Sequence, residues 1–67
     1  MLTPTFTTPD RLGEYVVRWS NQNRIPRETH FDDPLLAYRF FDGAPDAVLY
    51  YVIPGDVPGT LTRRLIK

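Results

Sequence analysis

The only histidine of the chain, His30, is the side chain best suited to acid–base chemistry near neutral pH. It stands beside Glu28, Asp32 and Asp33, so that a carboxylate could orient it as a general base. No other histidine, cysteine or lysine accompanies it in this segment. A hydrolytic centre would have to draw on distant residues. We therefore predict no catalytic residue, and we interpret His30 as a solvated histidine or one that fixes a loop.

The aspartates are the other group with possible ligand chemistry. A calcium loop needs oxygen ligands at tight alternating spacing, with a glycine at the bend and a glutamate at its end. The aspartates do not have this spacing, and several stand beside prolines or glycines, where turns favour them. The sequence thus predicts neither a metal site nor a cofactor from these residues: Asp32, Asp33, Asp42, Asp46 and Asp56.

Two aromatic pairs, Phe40-Phe41 and Tyr50-Tyr51, are the strongest functional signal. Adjacent residues of a strand point to opposite faces, so one ring of each pair should lie near the surface. Aromatic side chains and arginines dominate the energetic centres of protein interfaces. A fully enclosed core and a symmetric dimer are the alternatives. The residues predicted to bind a protein partner are Tyr51, Phe41, Tyr50, Arg39, Arg24 and Arg27.

The composition of the chain limits the classes of protein to which it could belong. The chain has 67 residues with 8 basic and 8 acidic side chains, and it has no cysteine. Without a disulfide framework, a basic and apolar leader or an apolar run of about 18 residues, the expectation is one small cytoplasmic domain that does not enter a membrane. A neutral chain also disfavours nucleic acid, although Arg24, Arg27, Arg63 and Arg64 are candidates for that alternative.

The first third of the chain predicts an arm and a helix. Residues 1–7 read as a flexible arm or edge strand, and residues 8–22 as a helix. Leu12, Tyr15, Val16 and Trp19 fall at i, i+3, i+4 and i+7, which is typical of one apolar stripe. Glu14 is four residues before Arg18, a favourable helical pair.

The remaining elements are predicted as strands at 35–41, 47–53 and 60–66. The first is ambiguous, because Asp33, Pro34 and Gly43 are also the start and stop signals of a helix; its length and aromatic content favour a strand. The last could equally end as a short helix. The predicted fold is α+β, with one N-terminal amphipathic helix on a three-stranded antiparallel sheet in the order αβββ. The helix alternative for 35–41 leads instead to a winged-helix-like arrangement.

The predicted strand at residues 47–53 is apolar on both sides, so both faces of the sheet need to be covered. Its alternating side chains are apolar on both faces, and one helix covers only one face. The second face would be covered by the arm, by loops or by another molecule. An open sheet edge could also pair with a second copy. These features predict a small non-enzymatic regulatory or inhibitory protein that binds another protein, of the kind carried by phages or mobile elements. A winged-helix-like nucleic-acid-binding protein is the alternative.

Residues 56–67, Asp-Val-Pro-Gly-Thr-Leu-Thr-Arg-Arg-Leu-Ile-Lys, resemble the C-terminal end of the HicA-type messenger-RNA interferase toxins. In that family a Pro/Gly turn leads from the sheet into a helix that starts with Thr-Leu, and a helix comes first. The resemblance implies a ribonuclease in which His30 is the catalytic histidine. His30 follows Glu28-Thr29, whereas the family has Gly-Ser before its histidine, and the strongly basic character of the family is absent.

Overall fold

The structure is a computed structural model, and it describes residues 9–67. The described chain forms two β-hairpins separated by a helix. The predicted arm at 1–7 lies outside the described residues. The elements are β1 (Tyr15–Ser20), β2 (Pro26–Phe31), α1 (Pro34–Gly43), β3 (Val48–Pro54) and β4 (Leu61–Leu65).

The four strands form one antiparallel sheet in the order β2-β1-β3-β4. The two hairpins meet at the central pair, where Val17 of β1 lies opposite Leu49 of β3. Strands β2 and β4 are the two outer strands. The helix packs against β1, β2 and β3 and does not reach β4. Within residues 9–67, no helix is long and apolar enough to cross a membrane.

The described residues form an α+β fold as predicted, but the predicted arrangement of its elements is wrong in both its forms. The segment predicted as an N-terminal helix, 8–22, contains strand β1, and the segment predicted as a strand, 35–41, lies in helix α1. The winged-helix-like alternative is wrong as well, because a hairpin precedes the helix and the described residues contain only this one helix. The strands predicted at 47–53 and 60–66 coincide with β3 and β4.

Strand β1 replaces the predicted helix because its sequence fits a strand better. Gly13 has φ +81°, a left-handed backbone conformation that stops a helix at this point. The β-branched and aromatic run from Tyr15 to Trp19 favours a pleated, half-buried surface. Leu12, the first member of the supposed stripe, is 63% exposed. The predicted helical pair of Glu14 with Arg18 is also absent, because Glu14 contacts His30.

Helix α1 forms because local end signals agree with an apolar face. Asp33 is its N-cap, and its Oδ1 accepts a hydrogen bond from the Leu35 amide at 2.9 Å. Pro34 occupies the first turn, where its missing N–H has no helical partner to lose. Ala37 is fully buried and forms the core cluster with Val17 and Leu49. The core therefore lies between α1 and the sheet, and we call this face of the sheet the helix side.

We call the opposite face of the sheet the far side. Its outer layer is polar, and buried apolar side chains lie under that layer. By strand alternation Val16 and Val52 lie on the far side, and both are fully buried. Five titratable side chains on or beside these strands form two groups there: Arg63 pairs with Asp10 and Glu28, and His30 contacts Glu14. We call these five residues the far-side network.

We expect Asp33→Ala to lower the free energy of unfolding by about 1 kcal/mol, because the first turn of α1 would lose its cap. Urea unfolding followed by circular dichroism measures the change. Asp32→Ala is the matched control, since the cap bond comes from Asp33 alone. Equal losses from the two variants would contradict a capping role.

Candidate partner-binding site

The Trp19 pocket is a depression of about 320 Å³ at one end of the molecule, where β1 and α1 both finish. Trp19 is in β1, Phe40 is in the penultimate turn of α1, and Pro45 belongs to the connection that leads into β3. The pocket is mostly apolar, with a guanidinium at its rim. Its lining residues are Trp19, Arg39, Phe40, Gly43, Ala44 and Pro45.

Several contacts fix the aromatic walls of this pocket. The Trp19 indole N–H donates a hydrogen bond to Thr29 Oγ1 at 3.0 Å. The rings of Trp19 and Phe40 meet edge to face, with centroids 5.6 Å apart and an interplanar angle of 75°. Phe40 also contacts the ring of Phe31 at 5.4 Å. The Ser20 amide donates to the Pro45 carbonyl at 3.2 Å and ties the loop to β1. The pocket is therefore held by packed side chains on three elements.

Three exposed arginines surround this end of the molecule. Arg39 lines the pocket itself, and Arg27 lies directly opposite Trp19 in the β1–β2 pair. Arg24 is in the turn between these strands and has φ 59°, with its amide donating to the Asn21 carbonyl at 2.9 Å. None of the three arginines forms an ion pair with a carboxylate of residues 9–67. Their charge is therefore available to an acidic ligand.

The aromatic residues of the predicted site lie elsewhere, each in its own environment. Tyr51 is on the helix side and contacts the ring of Tyr15 at 4.8 Å. Tyr50 is on the far side beneath the guanidinium of Arg63, 5.8 Å from its ring centroid. Phe41 packs against the core cluster. All three rings are partly buried. None of the three rings lines the Trp19 pocket, whereas Arg39 lines it and Arg27 lies opposite Trp19.

Trp19, Phe40 and Pro45 are the pocket residues that sequence reasoning missed. The predicted apolar stripe places Trp19 in a helix, whereas it lies in β1. Phe40 belongs to a predicted aromatic pair of which only Phe41 is predicted to bind a partner. The alternation of Tyr15, Val17 and Trp19 is the signal that could have placed the tryptophan at the end of a strand.

The far side carries the strongest electrostatic arrangement of the described chain. The guanidinium of Arg63 donates to Asp10 through Nε and Nη2, both at 2.8 Å. It donates to Glu28 through Nη1 at 2.7 Å and Nη2 at 3.0 Å. Arg63 therefore makes two forked pairs at once, the geometry in which arginine binds carboxylates best. These hydrogen bonds lower the pKa of Asp10 and of Glu28 and raise the pKa of Arg63.

A hydrogen-bonded pair, His30 with Glu14, lies beside the pairs of Arg63. The Nδ1 atom of His30 is 2.7 Å from Oε1 of Glu14, and the Glu14 side chain is only 4% exposed. The same oxygen accepts a hydrogen bond from the Arg11 amide at 2.9 Å. His30 is in strand β2, so the predicted loop histidine is instead fixed on the sheet.

Donor atoms of Asp10, Glu14 and His30 lie within 4.8 Å of one another, which is a spacing that a metal ion could bridge. The contacts in the structure already use these donors. Both oxygens of Asp10 accept from Arg63, and Oε1 of Glu14 faces His30 and the Arg11 amide. A cation would have to displace His30 from Glu14 and share Asp10 with a guanidinium. The geometry favours an internal ion-pair network.

We expect Arg63→Met to lower the free energy of unfolding by about 2 kcal/mol at pH 7, because two partly buried carboxylates lose their charged donor. The pKa values of these carboxyls are depressed in the folded state from ordinary values of 3.8 and 4.5. Their contribution is thus fully present above those values and disappears as the pH falls through the depressed ones. The difference between the native chain and Arg63→Met should shrink as the pH is lowered to about 3.

Urea unfolding at several pH values measures this difference. Arg64→Met is the matched control, since Arg64 is an exposed neighbour without an ion pair to a carboxylate of residues 9–67. A difference of constant size at every pH would mean that Arg63 stabilises the fold by packing rather than by charge.

Comparison with known proteins yields no relative. No family model, no curated protein and no solved structure matches this chain. The geometry of the described residues is therefore the basis for inferring function.

Proposed function

We propose that this chain is a small regulatory or inhibitory protein that binds another protein through the Trp19 pocket. The observation that carries the proposal is the combination of an apolar pocket with exposed arginines that have no ion-pair partner among residues 9–67. Tryptophan and arginine are the residue types most enriched at the energetic centres of interfaces.

The chemistry of the pocket defines the expected partner segment. Its apolar walls suit one large aliphatic or aromatic side chain, which would displace water from Trp19 and Phe40. The surrounding guanidinium groups of Arg24, Arg27 and Arg39 suit carboxylates on either side of that anchor. The partner segment is therefore an apolar residue with acidic neighbours. A rigid pocket loses little entropy on binding, which favours such a short segment.

Nucleic acid is the less favoured alternative. Its four candidate arginines do not form one phosphate-binding surface. Arg63 is neutralised by two carboxylates, and Arg64 lies on β4, at the sheet edge opposite β2. Only Arg24 and Arg27 remain close together at the pocket end. The chain has no net charge to attract phosphates from a distance.

Two structural features that the HicA-type resemblance implies are absent from the described residues. The described residues begin with a strand, and the Thr60-Leu61 segment that the resemblance implies to be helical leads into strand β4. His30 points its Nδ1 atom at the buried Glu14. Catalysis by His30 stays an untested prediction that these contacts do not favour.

We expect Arg39→Glu, alone and combined with Arg24→Glu, to weaken partner binding at least tenfold, because the acidic flanks of the partner would meet like charge. The immobilised chain captures proteins from a lysate of its source organism, and quantitative mass spectrometry compares the variants. Nuclease treatment of the lysate should leave the captured proteins unchanged.

Arg64→Glu is the matched control, because it makes the same change of charge at an exposed arginine far from the pocket. It should retain the partners of the native chain. Equal capture by Arg39→Glu and Arg64→Glu would overturn the assignment of the pocket. Loss of all capture after nuclease treatment would replace a protein partner by nucleic acid.

A further inference from the structure

Among residues 9–67, strand β4 is an outer strand, and one row of its backbone hydrogen-bonding groups has no partner strand. The Gly55 amide donates to the Thr60 carbonyl at 2.8 Å, and the Ile66 amide donates to the Leu49 carbonyl at 2.9 Å. In an antiparallel ladder, alternate residues of a strand point their N–H and C=O groups to the same neighbour. The even-numbered residues of β4 therefore bond β3. The backbone groups of Leu61, Arg63 and Leu65 point away from the sheet.

The other outer strand, β2, is protected in a way that β4 is not. It begins with Pro26, which has no N–H to offer. By the same alternation, counted from the Asn21–Ile25 hydrogen bond, Glu28 and His30 carry its outward backbone groups. Both have polar side chains engaged in the far-side network. The ends of β4, in contrast, are Leu61 and Leu65, which are 43% and 62% exposed.

The sequence of β4 is complementary to itself when two copies run antiparallel. With Arg63 on the two-fold axis, Leu61 of one copy lies opposite Leu65 of the other, and Thr62 lies opposite Arg64. Each exposed leucine then covers a leucine of the second copy on the far side. The three outward residues of each strand face each other as hydrogen-bonded pairs, so that six new N–H···O bonds can form.

Arg63 would ordinarily prevent this pairing, because like charges opposite each other in a sheet are unfavourable. Here its guanidinium is drawn across its own sheet and is paired with both Asp10 and Glu28. An exposed charged side chain is the common protection of an edge strand. The ion-pair network removes that protection from the middle of β4.

We propose that β4 is the interface for a second copy of this chain, which joins the four described strands of each copy into one continuous sheet. The two-fold axis would place both helices on the same side of that sheet. The Trp19 pockets, which lie at the ends of β1 and α1, would stay open in both copies. The dimer would therefore present two identical pockets. This inference is independent of the proposed function, since it rests on backbone geometry at the opposite edge of the sheet.

The interface is a reversible one. Pairing of two five-residue strands with two leucine contacts covers less surface than the roughly 1,000 Å² of a stable interface. We expect sedimentation velocity to show the mass rising from monomer to dimer between about 5 and 500 µM. Leu65→Lys and Leu61→Lys should each raise the dissociation constant at least tenfold. By symmetry the two variants should act alike.

Val57→Lys is the matched control, because Val57 is 63% exposed in the turn before β4 and lies outside the pairing strand. It should dimerise like the native chain. Hydrogen exchange gives a backbone readout that does not depend on variants. The amides of Leu61, Arg63 and Leu65 should become protected only at the high concentration, whereas those of Thr62 and Arg64 should be protected at both.

Three results would overturn the proposal. The first is a native chain that stays monomeric at the highest concentration. The second is dimerisation of Leu65→Lys and Leu61→Lys as tight as that of Val57→Lys. The third is rapid exchange of the three outward amides in a dimer, which would place the contact on another surface.

Discussion

The double forked pair of Arg63 with Asp10 and Glu28 is the interaction on which the far side of the sheet depends. It joins the segment before β1, an outer strand and the opposite outer strand, over sequence separations of 53 and 35 residues. The helix covers the other face, so that Val16 and Val52 need shielding that the helix does not provide. One planar group with five donors can bind two carboxylates at once and still lie across the Tyr50 ring. A lysine would offer neither the fork nor the flat face.

The sequence contains local signals for both helix and strand in two of its segments, and these signals alone do not decide which element forms. Asp33, Pro34 and Gly43 correctly mark the ends of α1, yet the aromatic run between them suits a strand equally well. Leu12, Tyr15, Val16 and Trp19 have helical spacing, while Tyr15, Val17 and Trp19 have strand spacing. Pairing with β2 and β3 decides the second case, and such long-range pairing cannot be read from one window. Strands β3 and β4 were predictable because turns rich in proline and glycine separate them.

Only the arginines of the predicted set lie at the end of the molecule that carries the Trp19 pocket's lining residue Arg39 and the β1–β2 turn. Arg24, Arg27 and Arg39 are the members of the predicted set that the fold gathers, because the β1–β2 turn and the end of α1 lie at the same end of the molecule. The pocket beside them depends on Trp19. This residue lies in β1, a strand whose sequence also has helical spacing and therefore predicts a helix. His30 shows the same limit. Its neighbours in sequence are acidic, but the carboxylate that contacts it is Glu14, 16 residues away.

The two faces of the sheet are covered in different ways, and this difference determines which surfaces stay exposed. The helix side uses its aromatic rings to pack α1, and what is left open is the pocket at the end of α1, where no carboxylate of residues 9–67 neutralises the arginines. On the far side Asp10 and Glu28 pair with Arg63, and the leucines of β4 lie exposed beside this paired guanidinium. The two faces thus leave different surfaces open. One is an apolar pocket at the end of α1, beside arginines that have no carboxylate partner in residues 9–67, and the other is the outer strand β4 with its exposed leucines.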